Sequence, residues 1–301
     1  MKTNSKKCPY CERSGYLFFA SYSREYYRCC KCGLLYKDIP ASYDDVVSTY
    51  REKFFDRYST DQLEGQRLKL YDHILNLIGK HRKGATLLDV GAGCGFFLAA
   101  AQERGWEVRG IDPSSQSVEV ARRQNVLDVF HGTLREYDGN GQFDVITLIN
   151  VLDHSTMPWV EIERASQLLR TGGLIYLRFP NGLLHSQIYR MSQKCGFSNS
   201  ARKFLVFHEY SFTPRHIRKL LYDHGFVQTT VLNSPPSEGD PYGLFPAPIL
   251  ATQVKRIIYA MAKCIEFISF GRLFLGTSLE VIAIKPNHLH PNLPPVTSLK
   301  H

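Results

Sequence analysis

The sequence predicts an α/β fold in which a doubly wound, mostly parallel sheet follows a small separate module at the amino end. Three observations support this prediction. Two Cys-x-x-Cys pairs lie within the first 38 residues, a β-rich run meets a helix through a glycine-rich turn, and long apolar runs then alternate with helical segments. Strands that alternate with helices are typical of a Rossmann-like sheet covered by helices on both faces.

The composition is that of a folded globular protein. Of 301 residues, 44% are hydrophobic and 22% are charged, so we expect one main domain with a small accessory module. The 37 lysines and arginines exceed the 28 acidic residues, which gives a net charge of +9. Residues 1–37 hold eight basic and two acidic residues, a net of +6. This distribution favours an anionic partner without identifying it.

The opening "MKTNSKKCPY" is basic but is not followed by an apolar run, so the sequence predicts no secretory signal. No stretch is long and apolar enough to predict a membrane span. The eight cysteines are then expected to be thiols or metal ligands in a reducing compartment. We therefore predict a cytoplasmic protein.

The amino-terminal cysteines have the spacing of a zinc ribbon. Cys8 and Cys11 form one Cys-x-x-Cys turn, Cys29 and Cys32 form the second, and the gap between them fits the roughly 15–20 residues of such sites. Cys30 has the wrong spacing to repeat the first turn. We therefore predict a four-cysteine zinc site that leaves Cys30 free, in a module over residues 1–38 that needs the metal to fold.

Two roles for this ribbon stay open. Four cysteine ligands leave no open position on the metal, which favours a structural clip without chemistry. The intervening hairpin "GYLFFASYSREYYR" is basic and carries Tyr22, Tyr26 and Tyr27, which could stack on nucleic-acid bases. The sequence favours the clip and keeps nucleic acid as an alternative partner.

Residues 39–64 are expected to form a linker and helix that lead into the main domain. The next segment, "LEGQRLKLYDHILNLIGK", places Leu68, Tyr71, Leu75 and Ile78 on one helical face.

The segment "ATLLDVGAGCGFFLAAAQERGWEVRGIDPS" is predicted as a strand, a glycine turn, an apolar helix and a second strand. A dinucleotide-binding loop would carry a third glycine at the position of Phe96, so pyrophosphate binding is not favoured. Gly91, Gly93 and Gly95 instead let the backbone lie against a ligand. Asp112, at the end of the second strand, can accept hydrogen bonds from both ribose hydroxyls.

The fourth and fifth strands are predicted in "QFDVITLINVLDH" and "GLIYLRFPN". Residues 150–154 and Arg178 then follow or end these strands at the edge where doubly wound sheets bind ligands. The helix "WVEIERASQLLRTGG" between the two strands is expected to end at Gly172.

The carboxyl-terminal part begins with a helix in "HEYSFTPRHIRKLLYDHGF" that Thr213 caps. The strands "FVQTTVLN" and "SLEVIAIKP" follow, separated by an insertion of about residues 234–277. We predict that the tail, residues 286–301, is disordered.

The insertion contains an amphipathic helix at about residues 249–268. We expect its apolar stripe to dock on its own domain, with peripheral membrane contact as the alternative. The stripe consists of Val254, Ile257, Met261, Ile265 and Ile268.

The chain resembles the class I S-adenosylmethionine-dependent methyltransferases. The likeness rests on "LLDVGAGCGFFL", "VRGIDPS", "FDVITLINVLDH", "LLRTGGLIYLRFPN" and "HEYSFTPRHIRKLLYDHGF". It implies a seven-stranded methyltransferase sheet within residues 65–285, with the last strand antiparallel. "RCCKCGLLY" ahead of it resembles the subgroup in which a Cys-x-x-Cys zinc ribbon precedes the domain.

The resemblance implies S-adenosylmethionine as cofactor and assigns roles around it. The glycines would line its methionine part, Asp89 would support their loop or meet its amino group, Asp112 would hold the ribose, and Asn150 would lie at the same edge. The cofactor-binding candidates are Asp89, Gly91, Gly93, Gly95, Asp112 and Asn150.

Methyl transfer to a hydroxyl or a carbon also needs a group that removes a proton. His208 and His154 are the candidate bases because histidine has a suitable pKa range. Glu209 and Tyr210 follow His208 directly and complete a catalytic candidate cluster of four residues.

The sequence therefore predicts an enzyme that methylates a hydroxyl or carbon of a small molecule, such as a saccharide, a lipid-linked intermediate or a secondary metabolite. The alternative is an RNA or protein methyltransferase that uses the basic ribbon for recognition. The small molecule is favoured because "NVLDHSTMP" stands after the fourth strand, where a base-flipping enzyme would carry an Asn-Pro-Pro-Tyr motif.

Overall fold

The structure is a computed structural model. It describes residues 5–21, 24–38, 42–52, 67–82, 85–124, 127–140, 143–198, 201, 204–238 and 248–287. Tyr22, most of the predicted linker and nearly all of the predicted tail lie outside the described residues.

The amino-terminal module is a small antiparallel sheet. Its first strands are β1 (Ser5–Lys7), β2 (Ser14–Ser21), β3 (Arg24–Cys29) and β4 (Leu35–Lys37). The fifth strand, β10 (Tyr210–Ser211), comes from the carboxyl-terminal half of the chain. Tyr210 pairs with Tyr36, and Ser211 pairs with Leu35. The ribbon sheet is therefore completed by the main domain.

The remaining strands and helices of the described residues form one layered α/β unit. The strands are β5 (Thr86–Val90), β6 (Glu107–Asp112), β7 (Val129–His131), β8 (Phe143–Ile149), β9 (Leu169–Pro180), β11 (Val227–Asn233) and β12 (Ser278–Ile284). The helices are α1 (Tyr43–Glu52), α2 (Leu68–Gly79), α3 (Phe96–Gln102), α4 (Ser115–Gln124), α5 (Pro158–Leu168), α6 (Gly182–Lys194), α7 (Pro214–Asp223) and α8 (Pro248–Ile268).

The strand order of the large sheet is β11-β12-β9-β8-β5-β6-β7. Strands β5 to β9 are parallel to one another, and β12 is antiparallel to both β9 and β11. The predicted seven-stranded sheet with an antiparallel last strand is confirmed. Leu87, Leu88, Ile146 and Leu148 on the central strands are fully buried, as expected when helices cover both faces. The carboxyl ends of β5, β6 and β8 meet at one edge.

The boundary between α5 and β9 differs from the prediction. The helix ends at Leu168, and the strand begins at Leu169. The backbone N–H of Gly172 donates to the carbonyl of Lys285 at 2.8 Å, and the N–H of Lys285 donates to Gly173 at 2.8 Å. The prediction that the helix ends at Gly172 is wrong because these residues pair with a segment that is distant in the sequence.

The amphipathic helix α8 also differs from the prediction. Ile257 and Met261 are each 60% exposed and Ile268 is 73% exposed, so most of the apolar stripe does not dock on the domain. The helix instead buries Glu266, whose Oε2 accepts hydrogen bonds from the backbone N–H and the side-chain amide of Asn233 at 2.7 and 2.8 Å. Among the described helices, none is long and apolar enough to cross a lipid bilayer.

Candidate active site

The glycine turn between β5 and α3 folds back onto the end of β6. The backbone N–H groups of Gly91 and Ala92 both donate to the carbonyl of Ile111, at 2.7 and 3.0 Å. Gly91 has φ +74°, and a Cβ at this position would lie 2.4 Å from Cγ2 of Val151. The close approach and the left-handed backbone together require glycine here.

Asp112, at the carboxyl end of β6, anchors the same turn. Its Oδ2 accepts a hydrogen bond from the N–H of Gly93 at 2.7 Å, and its Oδ1 accepts one from the N–H of Ser114 at 2.9 Å. Burial raises the pKa of Asp112 to about 6, although both hydrogen bonds oppose that shift. The carboxylate therefore lies where a polar ligand can be held at the sheet edge.

Asp89 and Gly95 lie behind the wall of the site. Thr147 donates a hydrogen bond from Oγ1 to Oδ1 of Asp89 at 2.6 Å, and burial raises the pKa of Asp89 to about 7. Gly95 precedes α3 with φ +83°, and a Cβ there would lie 2.5 Å from Leu127. Asp89 and Gly95 therefore support the glycine turn without lining the cavity.

A cavity of about 340 Å³ opens at the carboxyl edge of the strands. Of the predicted cofactor and catalytic residues, Gly91, Asp112, Asn150, His154 and His208 contribute to its wall, whereas Asp89, Gly93 and Gly95 are not among its described lining residues.

Helix α1 forms part of the wall of this cavity, whereas the sequence predicted only a linker and helix in this region. The helix contributes Tyr43, Val46, Val47 and Tyr50 to the wall. These four residues recur at helical spacing on one face, a pattern that could have predicted a buried face for the segment.

Asn150 and the buried Arg178 form a polar pair at the cavity wall. The backbone N–H of Asn150 donates to the carbonyl of Arg178 at 2.8 Å, and Nη1 of Arg178 donates to Oδ1 of Asn150 at 2.6 Å. Nε of Arg178 also donates to Oγ of Ser234 at 2.9 Å. Burial lowers the pKa of Arg178. The arginine fixes the orientation of the Asn150 amide at the cavity wall.

The cavity wall also contains an Asp-His-His cluster. Asp153 and His154 lie in a short 3₁₀ turn after β8, and His208 arrives from the segment before β10. Nε2 of His208 lies 3.3 Å from Oδ2 of Asp153, and Nε2 of His154 lies 3.8 Å from the same oxygen. The two imidazole rings are 3.9 Å apart between centroids. The structure thus brings the two predicted bases together around Asp153, which belongs to the predicted edge segment 150–154 but was not among the predicted catalytic or cofactor-binding residues.

Burial dominates the electrostatics of His208. It lowers the pKa of His208 to about 4, although the Asp153 carboxylate opposes this shift. His208 is therefore neutral at physiological pH in the ligand-free protein and has a free lone pair on one ring nitrogen.

The other two catalytic candidates lie elsewhere, and we correct their assignment. Nζ of Lys37 contacts Oε1 of Glu209 at 2.5 Å, so this carboxylate forms an ion pair with the ribbon. Tyr210 is buried in the ribbon sheet against Trp159, and burial raises its pKa to about 12. Neither residue is among the described lining residues of the cavity: Tyr210 pairs with Tyr36 in β4, and Glu209 contacts Lys37 at the end of that strand.

The four predicted metal ligands of the ribbon converge. Their sulfurs all lie within 4.8 Å of one another, with 3.7 Å between Cys8 and Cys32 and 3.4 Å between Cys11 and Cys29. A tetrahedral zinc ion with bonds of about 2.3 Å needs sulfurs roughly 3.8 Å apart, so this donor set fits zinc. Cys30 is exposed, and its thiol donates to the carbonyl of Ser14 at 2.9 Å.

Two of the three ribbon tyrosines that were predicted to stack on bases are buried. Tyr26 and Tyr27 are 4% and 0% exposed. Tyr26 stacks on Phe19 at 4.5 Å between centroids, and the guanidinium of Arg28 lies over Phe18. Rings that pack inside the protein cannot receive bases, which counts against nucleic acid as the partner.

The fold and the site define a class of protein, and comparison with known families agrees. Residues 63–231 match the family model described as "Methyltransferase domain". The chain belongs to this methyltransferase-domain family.

Two curated relatives illustrate the sequence similarity. The chain is 33% identical over 101 residues to a ubiquinone biosynthesis O-methyltransferase of Pseudomonas paraeruginosa, an alignment that covers 31% of this chain and 44% of that protein. It is 26% identical over 166 residues to the ubiquinone biosynthesis O-methyltransferase of Psychrobacter arcticus, covering 50% of this chain and 62% of that protein. The chain spans about half the length of the curated relatives it matches.

Solved structures share the fold at low sequence identity. Magnesium protoporphyrin IX methyltransferase of Synechocystis matches with a TM-score of 0.53 and 16% identity, over 81% of this chain and 100% of that chain. The 1,6-didemethyltoxoflavin-N1-methyltransferase of Burkholderia thailandensis matches with a TM-score of 0.50 and 16% identity, over 89% and 98%.

Proposed function

We propose that this protein transfers a methyl group from S-adenosylmethionine to a hydroxyl or carbon of a small molecule. The observation that carries the proposal is that two groups of polar residues line one cavity: Gly91 with Asp112, and Asp153 with His154 and His208. In the proposed arrangement the first group forms the cofactor end and the second group forms the acceptor end. Such a cavity can hold a charged cofactor beside an acceptor.

The cofactor end fits S-adenosylmethionine. Asp112 is placed to accept hydrogen bonds from the ribose hydroxyls, and the backbone of Gly91 can lie against the methionine part because no side chain intervenes. Arg178 orients Asn150 so that its side-chain amide lies at the same wall. The bound sulfonium would supply a methyl group that is ready for transfer.

The acceptor end is where a nucleophile would lose its proton. His208 and His154 both face the cavity, and either neutral imidazole can accept a proton. Asp153 beside them would stabilise the imidazolium that forms.

A small molecule is the acceptor that the site favours. Helix α1 contributes apolar and aromatic side chains to the cavity wall, which is typical of small-molecule sites. The similarity to ubiquinone biosynthesis O-methyltransferases points in the same direction. The cytoplasmic location stays a prediction from cysteine usage.

We assign the ribbon a structural zinc ion held by Cys8, Cys11, Cys29 and Cys32. Its role would be to keep β4 in place, because β4 pairs with β10 beside His208.

A peripheral membrane contact through α8 is the further partner that we propose. Phe267, Ile268 and Phe270 are 83%, 73% and 90% exposed at the end of this helix. Residues 248–275 carry four basic residues and one acidic residue, a net of +3. Exposed apolar side chains in a segment of net positive charge are suited to the interface of an anionic bilayer. A lipid-linked acceptor would then be reached at the membrane surface.

The direct test is transfer of labelled methyl from S-adenosylmethionine into a host extract that is afterwards separated into RNA, protein, lipid and small-molecule fractions. Label in the lipid or small-molecule fraction is expected. Nuclease-sensitive or protein-bound label would overturn the small-molecule proposal, and the same extract without the added protein provides the background.

A further inference from the structure

Asp153, His154 and His208 converge on one point in the cavity wall. One ligand-type atom from each of them lies within 4.8 Å of the other two. We propose that this cluster binds a divalent metal ion, separate from the ribbon zinc, and that the acceptor oxygen is held on this ion. Metal binding stands on the geometry alone, whereas its part in methyl transfer rests on the proposed function.

The first argument is the unsatisfied carboxylate. Asp153 is 1% exposed, and neither of its oxygens accepts a hydrogen bond from any residue that the structure describes. A buried charged group without such partners is costly, by several kcal/mol as an order of magnitude. The nearby histidine nitrogens lie at 3.3 and 3.8 Å without hydrogen-bond geometry. A cation between these three groups would satisfy the carboxylate.

The second argument is the spacing. Ligand atoms about 2.0–2.2 Å from one ion, arranged at tetrahedral or octahedral angles, are roughly 3.0–3.5 Å from one another. The separation of 3.3 Å between His208 Nε2 and Asp153 Oδ2 falls in this range. The 3.8 Å between His154 Nε2 and the same oxygen needs a shift of only a few tenths of an ångström.

The third argument is the ligand chemistry. Two imidazoles and one carboxylate bind divalent transition metals such as Zn²⁺, Co²⁺ and Fe²⁺, and three protein ligands leave positions open. All three residues line the cavity, so the open positions face the acceptor. The cluster therefore differs from the four-cysteine site of the ribbon both in donor type and in access.

An open metal position changes how the acceptor is activated. A hydroxyl bound to the ion has a lowered pKa and releases its proton to solvent. Its oxygen then attacks the methyl carbon: the O–C bond forms, the C–S bond breaks, and the electron pair of that bond returns to sulfur, which leaves as neutral S-adenosylhomocysteine. With the ion bound, His154 and His208 are ligands, and neither needs to accept the proton.

The test uses Co²⁺ and the full chain with zinc in its ribbon. Equilibrium dialysis is expected to show one bound Co²⁺ per chain, with affinity at least about tenfold lower in Asp153→Asn and in His208→Gln. The exposed His81 provides the matched control, and His81→Gln should bind as the wild type does. Thiolate-to-cobalt charge-transfer absorption would reveal any exchange into the ribbon.

Two results would overturn the proposal: no saturable Co²⁺ site outside the ribbon, or a site that both variants retain. If the variants fail to fold, an NMR measurement on the wild type replaces them. Bound Co²⁺ must shift the ring signals of His154 and His208 but not those of His81. Calorimetric titration with S-adenosylmethionine separates the two proposals. Cobalt binding without cofactor binding would contradict the proposed function and leave the metal site standing. Cofactor binding without cobalt binding would contradict the metal site and leave the proposed function standing.

Discussion

Tyr36 and Tyr210 are direct partners in the antiparallel ladder that joins the ribbon to the segment carrying His208. Lys37 extends this joint, because its N–H donates to the carbonyl of Glu209 at 3.3 Å and its Nζ pairs with the Glu209 carboxylate. The position of the His208 imidazole therefore depends on a folded ribbon.

The first prediction concerns loss of the ribbon metal. Chelation of zinc, or Cys32→Ser, is expected to speed amide hydrogen exchange across residues 209–211 by at least about tenfold, because β4 loses its support when the metal is gone. Helix α2 should keep its protection. Cys30→Ser is the control, since this exposed thiol is not part of the cluster. Unchanged exchange at residues 209–211 after metal loss would show that the ribbon does not hold this segment.

The second prediction concerns the cofactor. Asp112→Asn is expected to weaken S-adenosylmethionine binding by roughly 10- to 100-fold, because hydrogen bonds to a charged acceptor are lost. Burial places the pKa of Asp112 at about 6 in the free protein, and binding favours the ionised form. Wild-type affinity should therefore fall about tenfold per pH unit below pH 6. Calorimetry from pH 5 to pH 8 measures this, with Asp128→Asn on the exposed part of the chain as control.

The third prediction compares two glycines with similar backbones. Gly91 and Gly105 have φ of +74° and +81°, but a Cβ at Gly91 meets Val151 at 2.4 Å, whereas nothing lies within 4 Å of a Cβ at Gly105. Gly105→Ala carries only the backbone cost of about 1 kcal/mol. Gly91→Ala should unfold at a lower denaturant concentration than Gly105→Ala and should lose cofactor affinity. Equal behaviour of the two variants would contradict the close approach at Gly91.

The fourth prediction concerns stability and pH. Burial raises the pKa of Asp89 from its ordinary value of 3.8 to about 7 in the folded protein. Because the folded protein holds this proton more tightly than the unfolded chain, the contribution of Asp89 to the free energy of unfolding is fully present below about pH 4. It is lost as the pH rises to 7, by up to about 1.4 kcal/mol per pH unit. Asp89→Asn removes this loss of stability. The free energy of unfolding of the variant, measured in urea without cofactor, should therefore rise relative to that of the wild type as the pH increases from 4 to 7. A constant difference between the two proteins across this range would refute the raised pKa.

The fifth prediction concerns the membrane. Phe267→Ser together with Phe270→Ser should reduce co-sedimentation with vesicles of anionic phospholipid by at least about fivefold, because two exposed rings no longer enter the interface. Phe197→Ser, an exposed phenylalanine on another part of the surface, is the control. If the wild type does not bind vesicles, the proposed membrane contact is wrong. If the two phenylalanines are instead required for dimerisation, this surface contacts a second copy of the chain.

The sequence determined the large sheet, the glycine turn and the pairs of cysteines. Each of these depends on local patterns: strand and helix periodicity, positive φ at glycine, and two thiols on one tight turn. Gly91, Asp112, Asn150 and His154 were predicted at the site because parallel strands bring their carboxyl ends to one edge and the motifs follow those ends. His208 was predicted as a candidate base although it follows none of these strands.

Only the tertiary structure decided what surrounds these residues. Asp153 meets His208 because β10 joins the ribbon sheet, and the same pairing draws Glu209 and Tyr210 away from the cavity. Helix α1 forms part of the wall of the site, Gly172 lies in a strand, and α8 exposes the stripe that its periodicity suggested would be buried. These features depend on contacts between distant parts of the chain, whose free energies outweigh local preference. A local pattern, such as the helical spacing in α1, can show that a face is buried but not what it packs against.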